Sequence, residues 1–523
     1  MKRALLAAVA FAPLAFIASA FAAEPSMILI HGKVFTADPA KPWAEAVAIE
    51  GNRIAAVGTD AEIGALRGEK TRVVDVHGAT IVPGINDAHT HPVYAPDTFQ
   101  LSAESRDPHA PDPAWPAIAS ALAGAIDETP ADGWIVAKVG PAILLDPSIT
   151  AAKLDKIAPG RKVALEGWTG HGLVLSSEAM KATGIAPDAK DPNGGWYDRD
   201  ANGRVNGRVW EYAAMAAHGK RANAMSDDDI VLAIRDFASE ALQYGITSVQ
   251  AMSGVSAGRF AADVKRANVP LRIRVINFND TAAPFAPPTG TNGVKWILDG
   301  TPIEQNAAVR TAYRGGGKGR LNFTNLTPLV TTALNAKQQL LLHVAGDAAA
   351  AQALDALAST KADWPSLRPR FEHGDGLLPD LIPAAKRLGV VVVQNPSHFA
   401  TCGAYARPDY CPAATLIKNG IPFALGSDGP LNPFLNILFA VDRADKAEAL
   451  TREDALRAYT TGSAYAEFAE KEKGTLAKGM LADLAVLSQD LFSVRLDSLP
   501  ETKSVLTIVN GEVAYSELAI PEK

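Results

Sequence analysis

Apolar residues follow two rhythms along this chain. At residues 27–35, 46–49, 53–57, 73–76 and 80–82 they form short runs, broken by the turn pairs Gly51-Asn52 and His77-Gly78. The same rhythm returns at 483–487, 505–509 and 512–515, with Asn510-Gly511 between the last two. Asn-Gly accepts positive φ readily, so it favours a two-residue hairpin turn. Neither group of strands is large enough to bury a core alone. The pattern therefore predicts one small β-sandwich domain, residues 26–84 plus 474–523, in which both chain ends pair.

Between the two ends the rhythm lengthens. Strand candidates at 81–89, 247–252, 272–278, 294–298, 340–344, 370–373, 390–394 and 423–426 are separated by helical spacing, as at 227–244 and 258–267. Eight buried-type strands alternating with helices predict an α/β fold, a (β/α)8 TIM-like barrel over 85–473 rather than an open sheet. Residues from about 100 to 225 are too many for a loop after the first barrel strand, and predict an inserted subdomain. Five of the eight tryptophans fall there: Trp115, Trp134, Trp168, Trp196 and Trp210. They either pack the insert or line a pocket with aromatic surface.

Composition narrows the class. A chain of 523 residues, 48% hydrophobic and 20% charged, excludes fibrous and disordered readings. A net charge of -7 leaves no electrostatic footprint for nucleic acid. Two cysteines exclude a disulfide scaffold and a Cys-based zinc module. At the start, Lys2 and Arg3 precede an apolar run that ends in small residues around Ala20 and Ala22. This pattern predicts a signal peptide over 1–22, too short in its apolar part to span a membrane. The expected address is the periplasm or the exterior, with no anchor after cleavage. Partners reduce to a small-molecule substrate, with homo-oligomerisation left open.

One constellation carries the chemistry. His89 and His91 stand two apart at the end of the first barrel strand, where strand periodicity turns both to one side. An H-x-H pair alone is weak evidence for a metal site. Here Lys295 lies on the fourth strand, His343 ends the fifth, His373 ends the sixth and Asp428 follows the eighth. Barrel active sites form at these carboxyl ends, and buried polar groups are costly there without partners.

The set resembles the amidohydrolase superfamily of metal-dependent hydrolases, in the branch related to N-substituted formamide deformylase. The likeness runs from Val82-Pro-Gly-Ile-Asn-Asp-Ala-His-Thr-His-Pro through Gly245-Ile-Thr-Ser-Val, Val294-Lys-Trp-Ile-Leu-Asp-Gly and His343-Val-Ala-Gly-Asp. It continues in Phe371-Glu-His-Gly, Gly426-Ser-Asp-Gly-Pro and Gly474-Thr-Leu-Ala-Lys-Gly. The resemblance implies that His89, His91 and Asp428 hold one divalent ion, with zinc expected. His343 and His373 would hold a second, with Lys295 bridging as an N6-carboxylated carbamate. A one-metal site with Lys295 pairing a carboxylate stays open. Asp428 would be the catalytic proton carrier in hydrolysis of an amide-type C–N bond of an N-acyl, N-formyl or dipeptide-like substrate. Trp168, His171 and His398 are the candidate substrate contacts. The Gly167-Trp-Thr-Gly-His segment resembles a family motif, but Ser176 stands where Asn is expected.

Three rivals share the pattern: a deaminase, a lactonase or esterase, and a non-catalytic scaffold. Deaminases of this fold carry glutamate three residues after the fifth-strand histidine, a position held here by Gly346 and followed by Asp347. A scaffold would be expected to have lost ligands, yet all six positions are filled. His31, His77, His109 and His218 lack a partner pattern. Cys402 and Cys411 lie close enough in sequence for a disulfide beside His398.

Overall fold

Eight strands run parallel in the order the chain supplies them. They are β1 (Ile85–Thr90), β2 (Ile246–Ala251), β3 (Arg272–Val275, continued after Ile276 as Asn277–Phe278) and β4 (Val294–Ile297). Then follow β5 (Leu340–Val344), β6 (Arg370–His373), β7 (Val391–Gln394) and β8 (Phe423–Leu425). The first part of β3 pairs with β2, and its continuation pairs with β4, so one strand joins a three-stranded sheet to a six-stranded one. At the other seam Asp428 N–H donates to the His89 carbonyl at 3.0 Å, and Ser427 N–H to the Asp87 carboxylate at 2.9 Å. The result is a TIM-barrel-like α/β fold. The structure, a computed structural model, describes residues 24–93, 113–278, 280–314, 316–399 and 409–518. The signal segment, His109 and Cys402 lie outside these residues.

Helices cover the strands for local reasons. The helix Asp227–Gln243 starts where Ser226 accepts the Asp229 N–H, and three aspartates crowd its positive first turn. Ala257–Ala267 stops at Asn268, which takes the left-handed conformation. Strands buried on both faces, such as β7 with Val391, Val392 and Val393, read as unbroken apolar runs.

The chain ends build two sheets beside the barrel. Met27–Ile30, Ala46–Glu50, Arg53–Gly58 and Arg72–Asp75 form one. The other contains Leu484–Leu487, antiparallel both to Thr80–Pro83 and to Ser504–Val509. One apolar core serves both, with Met27, Leu29 and Val47 meeting Ile81, Leu484 and Ile508. The Asn510-Gly511 turn forms with φ of 57° and 77°, and a Cβ on Gly511 would run into the Gly51 carbonyl.

One expectation needs correction. The run that reads as a single barrel strand from residue 81 is two strands in different sheets. Thr80–Pro83 belongs to the terminal layer and Ile85–Thr90 to the barrel. The chain crosses at Gly84, whose N–H donates to the Asp483 carbonyl at 2.9 Å and whose missing side chain leaves room for Thr247.

Between β1 and β2 stands a five-stranded sheet. In spatial order it comprises Gly195–Arg199, Val205–Glu211, Gly172–Leu175, Lys162–Gly167 and Trp134–Val139. Leu165 and Val174 pack on one face beneath the helix Trp115–Glu128. On the other face, Leu173 and Val209 share a cluster with Ile297 of β4. Four of its tryptophans are absorbed locally. Trp196 stacks on Trp210, Lys153 lies over Trp115, and Arg221 over Trp134. Trp168 is 44% exposed.

Candidate metal centre

Each histidine of the H-x-H pair has one ring nitrogen tied down and the other turned inward. His91 Nδ1–H donates to the Met252 carbonyl at 2.6 Å, which leaves Nε2 at 3.2 Å from Asp428 Oδ1. His89 Nδ1 meets Glu372 Oε2 at 2.6 Å, and its Nε2 lies 3.1 Å from Lys295 Nζ and 3.6 Å from Asp428 Oδ1. Such outer hydrogen bonds fix the tautomer that presents a lone pair to a cation. His373 Nδ1 lies 3.8 Å from Asp428 Oδ2. His89, His373 and Asp428 offer ligand atoms within 4.8 Å of one another. The resemblance divides these three between two ions, whereas the structure places them in one cluster. His343 adjoins it, its ring 4.3 Å from that of His373, with Nε2 facing the Gly300 carbonyl at 3.4 Å.

Burial sets the charge states. It lowers His89 to about 4, with Lys295 adding to the effect, and it holds His343 and His373 well below the ordinary imidazole value. Burial also depresses Lys295. For Asp428 burial opposes the charge, but His89, His398 and His91 keep the carboxyl well below its usual range. Glu372 follows the same logic: Arg370 overcomes burial and draws it to about 2. Arg370 clasps both oxygens, Nε to Oε1 at 2.7 Å and Nη2 to Oε2 at 3.0 Å. Neutral imidazoles converging on an ionised carboxylate are the donor set a divalent metal requires, so these residues fit one.

The backbone contributes too. His373 and Asp428 have φ of 70° and 39°, a conformation costing roughly 1–3 kcal/mol that surrounding structure must impose. Asp428 does not cap the following helix, because Asn432 does so, accepting from Phe434 and Leu435 N–H. Asn395 Nδ2 lies 3.2 Å from Asp428 Oδ2 and 3.1 Å from His373 Nδ1, tying the two together.

A cavity of about 170 Å³ opens over this cluster, lined by Trp168, His171, His343, His373, His398 and Asp428 among others. The turn between Lys162–Gly167 and Gly172–Leu175 in the insert supplies Trp168 and His171. His171 Nδ1 contacts Glu211 at 2.9 Å, and that carboxylate outweighs burial and raises the imidazole pKa. His398 stacks on His373 with centroids 4.8 Å apart and planes at 10°. Burial opposes its charge, but Asp375 at 3.2 Å and Asp428 at 3.6 Å raise it to about 10.

Other candidates are consumed by structure. The Ser176 hydroxyl caps Ser177–Thr183, accepting the Ala179 N–H at 3.2 Å and donating to the Arg161 carbonyl. Asp347 is held by Arg310 Nε at 2.7 Å and by the Tyr410 hydroxyl at 3.0 Å. His31 and His77 both lean on Asp75 in the terminal layer, and His218 on the Gly170 carbonyl. Among the described residues no cysteine is free, and Cys411 is buried. Sequence reading overlooks Glu372, Asn395, Glu211 and Asp375. Only Glu372 leaves a signal, since it sits beside His373 in Phe371-Glu-His-Gly.

Comparison with known proteins places this geometry. The model of the amidohydrolase family matches residues 72–515. The chain belongs to the amidohydrolase family. Its amidohydrolase relatives include the N-substituted formamide deformylase of Arthrobacter pascens, 24% identical over 537 residues that make up 94% of this chain and 98% of the relative. YtcJ of Bacillus subtilis is 24% identical over 492 residues, 86% of this chain and 91% of its own. An uncharacterized metal-dependent hydrolase from Pyrococcus horikoshii shares the fold, with a TM-score of 0.68 at 19% identity, covering 90% of this chain and 99% of that one. As an amidohydrolase the chain is a metal-dependent hydrolase.

Proposed function

We propose that this amidohydrolase is an exported enzyme that hydrolyses the C–N bond of a small N-acyl, N-formyl or dipeptide-like amide. The observation that carries the reading is the convergence of buried, neutral imidazoles on ionised Asp428 beneath a cavity of about 170 Å³. In our reading the eight strands close as a (β/α)8 barrel, 85–473, with the terminal segments as its sandwich and about 100–225 as an inserted subdomain. His89, His91, His343, His373 and Asp428 would hold one or two divalent ions, zinc first among them, with Lys295 carboxylated on its buried amine. A metal held there supplies Lewis acidity to a carbonyl and acidifies water.

The protein's own groups do the rest. Asp428 takes the proton of the attacking water, since a carboxylate held ionised has the lone pair to accept it, and the resulting carboxylic acid returns it to the leaving nitrogen. His171, whose pKa Glu211 raises, turns Nε2 toward the substrate carbonyl region. His398 positions Asp428 through Oδ2. Trp168 and Ile303 at the rim exclude water from the apolar part of the substrate. Deamination of a ring is disfavoured because Arg310 and Tyr410 already occupy the Asp347 carboxylate.

The test is metal analysis of purified protein beside a screen of formamides, N-acyl amino acids and lactones. Metal with amide turnover is the expected result. A metal-replete protein that ignores every amide yet opens lactones would replace the substrate class.

A further inference from the structure

A second cavity, of about 500 Å³, lies at the opposite end of the barrel, where β3, β4 and β5 begin. Its wall carries Arg272, Arg274, Lys337 and Lys473 against one acid, Glu467. Two of these cations are neutralised. Arg272 clasps Asp483 at 2.6 Å, and Lys473 lies 2.9 Å from Glu467. Arg274 has no carboxylate at ion-pair distance among the described residues. Its guanidinium donates to two amide oxygens instead, Gln250 at 3.2 Å and Gln339 at 2.8 Å. Burial, reinforced by Arg370, lowers Arg274 to about 10.

Stability alone does not call for this charge. The same amides are anchored without it: Gln250 Nε2 donates to the Ser463 carbonyl at 3.0 Å, and Gln339 Nε2 to Arg368 and Ala466 carbonyls at 2.8 and 3.0 Å. A neutral donor would meet their needs, whereas a partly buried cation that feels Glu467 and Glu372 only beyond ion-pair distance is a cost. Arginine offers five N–H groups in a planar fork, and those left over suit an oxyanion.

Arg274 also stands at the foot of a polar ladder through the barrel. Gln250 Oε1 accepts from Arg274 and from Arg370, Arg370 clasps Glu372, and Glu372 holds His89 Nδ1 at 2.6 Å. Gln250, Arg370, Glu372 and His89 are fully buried, so no water interrupts the exchange.

We propose that this amino-end cavity binds a small oxyanion, phosphate or carboxylate, on Arg274 and Lys337, and that its occupancy is felt at His89 through Gln250, Arg370 and Glu372. An anion that draws Arg274 into the cavity leaves Arg370 as the only donor to Gln250 Oε1. Arg370 shifts toward that oxygen, Glu372 turns more of its charge to His89 Nδ1–H, and the inward nitrogen becomes the better ligand.

Isothermal titration of metal-stripped protein with inorganic phosphate, and separately with succinate, tests the site without competition from a bound cation. At least one anion should bind saturably, one per chain. Arg274→Met should weaken it by about tenfold or more, the worth of one charge-assisted contact. Lys337→Gln should weaken it less, and Arg274→Lys should keep most of it, which decides the matter if Arg274→Met does not fold. In metal-loaded protein the anion should slow metal loss to a chelator by about fivefold in wild type and not in Arg274→Met. Because Arg274→Met also leaves Arg370 as the only donor to Gln250 Oε1, the variant in anion-free buffer should lose metal about as slowly as anion-bound wild type. Absence of saturable binding, or binding undiminished in Arg274→Met, overturns the site. Binding that leaves metal loss unchanged overturns the ladder. Neither readout depends on which substrate the enzyme hydrolyses.

Discussion

The barrel mouth and the terminal β-layer are built from similar short strands, yet they are stabilised in opposite ways. In the terminal layer, Met27, Val47, Ile81 and Leu484 bury apolar surface from two sheets, and turn residues such as Asn510 and Gly511 adopt the conformations their types prefer. Most local preferences agree with the fold, Ala37 with its φ of 60° being an exception. At the mouth, polar groups are taken out of water, imidazoles are kept from protonating, and His373 and Asp428 sit in a left-handed backbone that neither residue favours. The layer shows what holding a shape requires. The mouth shows what chemistry adds, with left-handed backbone at two of its functional residues.

This contrast can be broken or sharpened by substitution. The largest effect belongs to the mouth: Asp428→Asn should fold, retain metal and lose at least ~10²-fold in kcat, the lower range for proton transfer by a positioned group. Turnover and metal measured on one preparation decide it, and more than a tenth of the wild-type rate would remove the proton-carrier role. Next, Leu484→Ala in the layer should cost roughly 3 kcal/mol in urea unfolding, while kcat per folded molecule stays put. A change in kcat would mean that the two regions are not separable.

His89 links stability to pH. Its folded value of about 4 against 6.5 means that the unfolded chain takes a proton that the folded one refuses. The stability it secures is complete above pH 6.5 and drains away as pH falls toward 4, by roughly 3 kcal/mol. The slope is read as the difference between metal-stripped protein and its His89→Gln variant, and parallel curves would refute it. Smallest is Thr59→Ala. Thr59 forms a capping box with Glu62 at the helix Asp60–Gly64, and its loss should cost about 1 kcal/mol with no kinetic trace.

Much of this contrast is legible in the amino-acid sequence. Continuous apolar runs mark β5 and β7 because strands covered on both faces need no polar alternation. His343 stands out because it ends such a run, and the other histidines because they fall at the carboxyl ends of strands. The supporting polar groups stay hidden for a physical reason. Glu372 meets His89 across 283 residues, and Arg370 meets Gln250 across 120, so no local spacing records the pairings. The crossing at Gly84 escapes notice because an apolar run looks the same whether it stays in one sheet or passes between two. Asp347 and Ser176 stand where the family pattern is broken, and their oxygens are in use by Arg310, Tyr410 and Ala179.

The source of Trp168 and His171 has a consequence for how such an enzyme diversifies. Both project from a turn of the five-stranded insert, whereas the ion-holding groups stand on the barrel strands or just beyond them. Under the proposed function, part of the substrate contact is therefore encoded apart from the groups that would hold metal, while Ile303 and His398 reach the cavity from the barrel. Under that reading, directed evolution at Trp168 and its neighbours in the insert, with His171 kept, can trial new substrates while leaving the reaction intact, as a toolmaker changes the jaw and keeps the handle.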